Sequence, residues 1–342
     1  MTSVISLEAV RRDASAFRVL TGDRPTGPLH VGHYFGTLQS RVRLQDLGVE
    51  VFVLIADYQT ITDRDAPATL AEDVEGVLAD YLGVGIDPRR ATIFTHSRLP
   101  ELNQLLLPFL SLVSVAELQR NPTVKEEIAA GGGATSALLF TYPVHQAADI
   151  LFCRANLVPV GGDQLPHLEL ARTIARRFNR RYSPGGDYFP EPGALLGEAP
   201  LVLGLDGGKM GKSRGNSIPL AAGADETARL VRAAKTDAER RITYEPERRP
   251  EVANLLRLAA LCEGRAPEEI ADEIGARGAA ALKELVAEAL VEHLRPVRER
   301  RAAVAGERDY LRSILDEGNA RARAIASATL EDVHELMHTG GR

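Results

Sequence analysis

The chain has 342 residues, 44% of them hydrophobic and 26% charged, with a formal net charge of −6. That composition allows about two domains with real cores and excludes a helical membrane protein, since no stretch approaches ~18 uninterrupted apolar residues. Two cysteines, Cys153 and Cys262, far apart and without C-x-x-C spacing, exclude a disulfide framework or a cysteine-rich zinc site and suit the cytosol.

Residues 1–16 form an N-terminal extension whose opening, MTSVISLEAVRRDASAF, has no basic segment followed by a long apolar run; this argues against a secretory signal. From 17 to 222, apolar runs alternate with helical patterns. FRVLTG (17–22), VEVFVLIAD (49–57) and ATIFTHS (91–97) predict buried strands, while GHYFGTLQSRVRLQDLG and PATLAEDVEGVLADYLGVG carry apolar residues at helical spacing. Strands separated by helices of this length predict an α/β fold with a parallel sheet and right-handed crossovers. GIDPRR reads as a turn, AAGGGATS (129–136) as a mobile loop, and the Gly/Pro-rich stretch 183–216 as an irregular connection. From 223 to 342 the pattern is helical throughout, with Asp225 and Asp237 predicted as N-caps and Gly264 and Gly318 as helix breaks. RTIARRFNRR (172–181) and RPVRERR (295–301) are either solvated helix faces or a local basic surface.

Two stretches carry chemistry. GPLHVGHYFG (27–36) puts His30 and His33 where the first strand gives way to a helix, the place at which parallel sheets bind ligands. The free N–H groups of a helix start there favour phosphate, Gly32 allows the backbone to lie against a planar ring, and two imidazoles add donors for developing charge. By itself the pair reads equally well as two ordinary histidines. DGGKMGKSRGN (206–216) places Lys209, Lys212 and Ser213 among glycines, as a cationic loop able to close on a triphosphate; in isolation it is also a plausible surface turn, and it lacks Walker spacing.

Together the two stretches resemble the "HIGH" and "KMSKS" signatures of class I aminoacyl-tRNA synthetases, here His30-Val31-Gly32-His33 and Lys209-Met210-Gly211-Lys212-Ser213. Gly211 departs from the usual serine. TYPVHQAADIL (141–151) and VPVGGDQLPHLELARTIARRFN (158–179) are similar to the subgroup that activates tryptophan or tyrosine, and the whole chain after about residue 16 looks most like tryptophanyl-tRNA synthetases, the divergent second bacterial form in particular. Tyr142, Gln146 and Asp149, three and four apart, share one helix face. Tyrosine enzymes of this pattern pair that aspartate with a tyrosine on the first strand. The matching residue here is Leu20, which favours tryptophan.

The resemblance implies a Rossmann-like parallel-sheet catalytic domain (17–222) and a C-terminal all-helical anticodon-binding domain (223–342) whose last helix returns to the catalytic half. It implies a tryptophan–tRNA ligase that uses ATP, with magnesium arriving on the nucleotide rather than in a protein cage, and with L-tryptophan and tRNA(Trp) as partners. Family members are two-fold dimers, so a cytoplasmic homodimer without membrane attachment is expected. His30, His33, Lys209, Lys212 and Lys125 would serve the phosphates. Arg24, Pro25, Thr26, Gly32, Gly161, Gly162, Asp163, Leu201, Met210, Gly211 and Ser213 would bind the rest of ATP, with Arg24 replacing the family's usual glutamine. Leu20, Gly22, Gln59, Tyr142, Gln146, Asp149, Val158, Val160 and Gln164 would line the tryptophan pocket. Gln59 and Gln146 stand where common bacterial members carry histidine and methionine, so a more polar pocket, tolerant of ring-substituted tryptophans, is expected. Competing readings are a tyrosine-specific ligase, a tryptophan-binding paralogue that does not charge tRNA, and a generic nucleotidyltransferase.

Overall fold

A computed structural model describes residues 4–62, 68–131, 136–161, 164–196, 202–211 and 214–339. The strands are apolar on both faces, which suits a sheet covered on both sides. β1 (Arg18–Asp23), β2 (Glu50–Ile55), β3 (Ala91–Thr95), β4 (Leu157–Val160) and β5 (Gly193–Leu196) run parallel in the order β3-β2-β1-β4-β5. The α/β parallel sheet expected from the sequence is therefore present, and its order reverses between β1 and β4. β5 lies inside the stretch expected to be irregular: four residues, GALL, between prolines and glycines give too short a pattern to read.

The segment read as an extension is docked. Val4 and Ile5 pair with Ala194 on β5, and α1 (Leu7–Arg12), capped by Ser6, buries Val10 in the core. β1 and β2 are joined by α2 (Val31–His33), a π-helical turn at Tyr34–Leu38 and α3 (Gln39–Asp46); α4 (Leu70–Val84) leads to β3. Four helices precede β4: α5 (Pro100–Leu110), α6 (Val115–Arg120), α7 (Pro122–Gly131) and α8 (Ala137–Leu151); α9 (Leu165–Tyr182) precedes β5. α7 takes in residues 129–131 of the predicted loop, and 132–135 lie outside the described residues.

The helical part comprises α10 (Ala224–Ala233), α11 (Pro250–Glu263), α12 (Pro267–Ile274), α13 (Ala279–His293), α14 (Arg295–Val304) and α15 (Arg308–Leu336). Its first five helices share one apolar cluster with α2–α4, on one face of the sheet. α5, α8, α9 and α15 cover the other. Asp80, fully buried in α4, ties the two parts by accepting from Leu29 N–H at 2.8 Å and from Arg301 of α14 at 2.6 Å.

Three sequence expectations are corrected here. Gly318 does not break a helix but sits inside α15, where a Cβ would lie 1.8 Å from the Ile93 carbonyl oxygen of β3; the glycine is there so that helix and strand can touch. Asp225 is in the first turn of α10 behind an N-cap at Gly223. Asp237 caps no helix: it accepts from Glu239 N–H and pairs with buried Arg249 at 2.7 Å, holding a turn. Gly264 does end α11, in the left-handed conformation at φ 68°. The two arginine runs are largely occupied within the chain. Arg172, Arg176 and Arg177 pair with Glu169, Glu191 and Glu117, and Arg295 and Arg301 with Glu292, Glu299 and Asp80.

Candidate active site

A cleft of about 860 Å³ opens at the carboxyl ends of β1 and β4, where the strand order reverses. One end is built on the start of α2. His30 N–H donates to His33 Nδ1 at 3.2 Å, and the two rings lie 3.8 Å apart. The chain around His30 is zipped to the segment that follows the lysine loop: Val31 N–H donates to the Ile218 carbonyl at 3.0 Å and Leu220 N–H to that of Leu29 at 2.8 Å. The two motifs thereby meet. A Cβ on Gly32 would approach the Met210 sulfur at 3.1 Å and the His30 ring at 3.0 Å, so the face expected to take a planar ring is covered by methionine.

Beneath α2, Arg41 of α3 and Tyr81 of α4 converge on Asp23 at the end of β1, at 2.5 and 2.8 Å. Burial pushes the Asp23 carboxyl up, but Arg41, His33 and Tyr81 outweigh it and hold it well below the usual carboxylate range. Burial of the Tyr81 phenol, with the Asp23 charge beside it, pushes that hydroxyl well above its ordinary value.

The lysine loop has its own keystone. Asn216, 3% exposed, donates to Asp206 Oδ1 at 2.8 Å and to the Lys209 carbonyl at 3.1 Å, and accepts from Gly211 N–H at 3.0 Å. The Asn216 amide also draws the Asp206 carboxyl below its ordinary value. Lys209 and Met210 line the cleft. Asn216→Ala should release this loop with the rest of the fold intact. Faster limited proteolysis within 206–216, with the melting temperature nearly unchanged, checks it.

The other end of the cleft is lined by Leu20 and Gly22 of β1, Gln59 from the turn after β2, Tyr142, Gln146 and Asp149 of α8, Val158 and Val160 of β4, then Gly161 and Gln164. The Tyr142 hydroxyl lies 2.9 Å from His167 Nε2 in α9, and Asp149 Oδ1 lies 2.8 Å from His96 Nε2, just after β3.

Residues 12–295 match the family model described as tRNA synthetases class I (W and Y). The chain belongs to this family. It is 43% identical to the tryptophan–tRNA ligase of Treponema pallidum over 95% of this chain and 98% of that protein, and 40% identical to that of Lactococcus lactis over 93% and 97%. Among solved structures, the tryptophanyl-tRNA synthetase of Campylobacter jejuni, complexed with ADP and tryptophan, matches with a TM-score of 0.80 at 30% identity, covering 94% of this chain and 99% of that one.

Sixteen of the residues expected at the site from the sequence line this cleft, divided between its two ends. Arg24, His30, Gly32, His33, Lys209 and Met210 line one end of the cleft, and the nine tryptophan-pocket residues, with Gly161, line the other. Pro25, Thr26 and Gly211 do not line it, and Lys125 is exposed on α7, two residues beyond the lining Thr123. Gly162, Asp163, Leu201, Lys212 and Ser213 lie outside the described residues. Sequence reasoning missed Asp23, Arg41, Tyr81, His96, His145, His167 and Asn216. His96 did carry a signal, its place at the carboxyl end of a parallel strand; Arg41 carried none, since an arginine in a helical pattern reads as surface.

Proposed function

We propose that this chain activates L-tryptophan with ATP and transfers it to tRNA(Trp), releasing AMP and diphosphate. The observation that carries the reading is a single cleft at the switch point with histidines and a lysine loop at one end and an aspartate-bearing apolar pocket at the other. Near-full-length similarity to tryptophan–tRNA ligases supports it. In the first step a tryptophan carboxylate oxygen bonds to the α-phosphorus of ATP while the bond to the β-phosphate oxygen breaks and diphosphate leaves. In the second, a terminal ribose hydroxyl of tRNA attacks the acyl carbon, loses its proton, and AMP departs. Neither step needs a protein nucleophile; positioning and cationic stabilisation suffice.

His30 and His33 serve the phosphates, with Lys209 and Lys212 neutralising the leaving diphosphate and Lys125 assisting. Asp149 accepts from the indole N–H, and Leu20 offers a phenol no second partner. Tyr142 and Gln164 meet the amino group, while Gly161, Gly162 and Asp163 hold the ribose. Among the described residues the carboxylates lining the cleft are Asp23, committed to Arg41 and Tyr81, and Asp149, committed to the amino-acid end. That donor set suits magnesium carried in by ATP. The working form is a cytoplasmic homodimer with tRNA bridging the subunits; among the described residues no helix is long and apolar enough to cross a membrane, and both cysteines are free.

Charging of a tRNA(Trp) transcript with labelled tryptophan tests the complete reaction. Acid-precipitable label that depends on ATP supports it, whereas exchange activity without charging marks a paralogue that stops at the adenylate. Gln59 and Gln146 line the pocket with amide groups. Activation of 5-hydroxytryptophan should accordingly fall less than about tenfold below that of tryptophan, and parallel exchange assays on this protein and on a member with histidine and methionine there measure the difference.

A further inference from the structure

The amino-acid end of the cleft contains a buried side-chain cluster in which Asp149 is joined by His96 and His145, two residues to which the reactions above assign no role. Asp149 and His96 are each 1% exposed and His145, one turn before Asp149 in α8, is 4% exposed. His96 Nε2 lies 2.8 Å from Asp149 Oδ1. A carboxylate only accepts, so the His96 proton belongs on Nε2. The His145 ring sits 4.7 Å from that of His96, and its Nε2, like His96 Nδ1, is buried without a hydrogen-bond partner. Burial pushes the His145 imidazole below its ordinary value, with His96 adding to this and Asp149 and Asp57 opposing it; it is therefore neutral near pH 7. Tyr58 stacks with His96 at 6.3 Å between ring centroids, and Asp57 is engaged by the N–H groups of Tyr58 and Ser97 at 3.0 and 3.1 Å.

His96, His145 and Asp149 present three ligand atoms within 4.8 Å of one another, the composition of a divalent-cation site. The short His96–Asp149 distance, however, is a hydrogen-bond length, and it commits the carboxylate oxygen that a metal would need.

We propose that His96 is a positioning residue that fixes the Asp149 carboxylate so that one oxygen is aimed at a ring N–H of the substrate. This deepens the tryptophan reading and rests on Asp149 facing the indole. A carboxylate turns easily about its last torsion, and a bond from a rigid, fully buried imidazole removes that freedom. The second oxygen then faces the cleft as a pure acceptor. A substrate ring with N–H satisfies it; one of the same shape without N–H leaves a buried carboxylate oxygen unpaired, the situation that gives the strongest rejection. His145 Nε2 has no hydrogen-bond partner, so the bond to the carboxylate is made by His96.

The test uses full-length protein in amino-acid-dependent ATP–diphosphate exchange, with tryptophan and β-(3-benzothienyl)alanine, in which sulfur replaces the ring N–H. The unaltered protein should prefer tryptophan by about 100-fold or more in kcat/KM. His96→Met should raise the KM for tryptophan about 10- to 50-fold with kcat within about threefold, leave the KM for the analogue nearly unchanged, and so collapse the preference. His96→Gln, which restores an N–H donor, should recover most of it. Equal loss for both substrates, or no recovery in His96→Gln, overturns the proposal in favour of a packing role. Stoichiometric zinc in the unaltered protein that is lost in His96→Met overturns it in favour of a metal site. Absence of exchange with tryptophan in the unaltered protein overturns the substrate reading and the proposal with it. Should His96→Met not fold, 15N-histidine spectra of the unaltered protein at pH 7 decide: the Nε2–H tautomer at His96 supports the proposal, and the Nδ1–H tautomer contradicts it.

Discussion

Arg41→Met should destabilise the protein by about 3–5 kcal/mol, the cost expected when one partner of a buried ion pair is removed and the other stays behind. The Arg41 side chain is 2% exposed and that of Asp23 11%, so solvent does little to screen them. With the guanidinium gone, the carboxylate keeps only the Tyr81 hydroxyl and the neighbouring His33, and burial now dominates its ionisation. The pH dependence should change sign. In the unaltered protein Asp23 has a depressed pKa, so its pairing stabilises the fold above the unfolded-state carboxyl value and is lost as pH falls through the folded one. In Arg41→Met the folded carboxyl titrates above its unfolded value, so acidification towards pH 5 should partly restore stability. Urea unfolding at pH 5 and pH 8 measures both effects, and Arg41→Met combined with Asp23→Asn should cost less than Arg41→Met alone, because no charge is then stranded.

His33→Ala should act on chemistry far more than on folding. The ring stands in the first turn of α2, against that of His30 and within electrostatic reach of Asp23, at the end of the cleft where the phosphates would lie. Removing a donor aimed at charge that builds up only in the transition state costs about 10²- to 10³-fold in kcat. The KM for tryptophan should stay within a few-fold, since the amino-acid end is formed by α8, β1 and β4. Exchange kinetics separate the two parameters, and a melting temperature lowered by only a few degrees, the cost of one lost cap hydrogen bond, shows that the fold stays intact.

The parallel sheet was legible because β1, β2 and β3 are long apolar runs divided by helices, each a strong local signal. β5 was not, because four residues at a sheet edge carry too little pattern. Gly318 was misread for a different reason: its role is a close approach to Ile93 of β3, more than 200 positions away, and no local pattern encodes such a contact. The same holds for the cleft. Motif residues such as His30, His33 and Lys209 stand out by spacing and composition, whereas the groups that hold them do so through folding. Asn216 was within the quoted loop, yet only the closed turn shows its amide joining Asp206, Lys209 and Gly211. Asp80 looks like a surface acid in a helix and proves to be fully buried, with its oxygens on Leu29 and Arg301. His96 and Asp149, 53 positions apart, become a pair only when α8 is laid against the end of β3.

ATP–diphosphate exchange with tryptophan and tyrosine, run in parallel, decides whether this cleft activates tryptophan. Robust exchange is expected with tryptophan and a rate lower by at least about 100-fold with tyrosine, since Leu20 would leave a phenol without its second partner in a buried pocket. Exchange with tyrosine at a comparable rate, or with neither amino acid, would contradict the tryptophan reading.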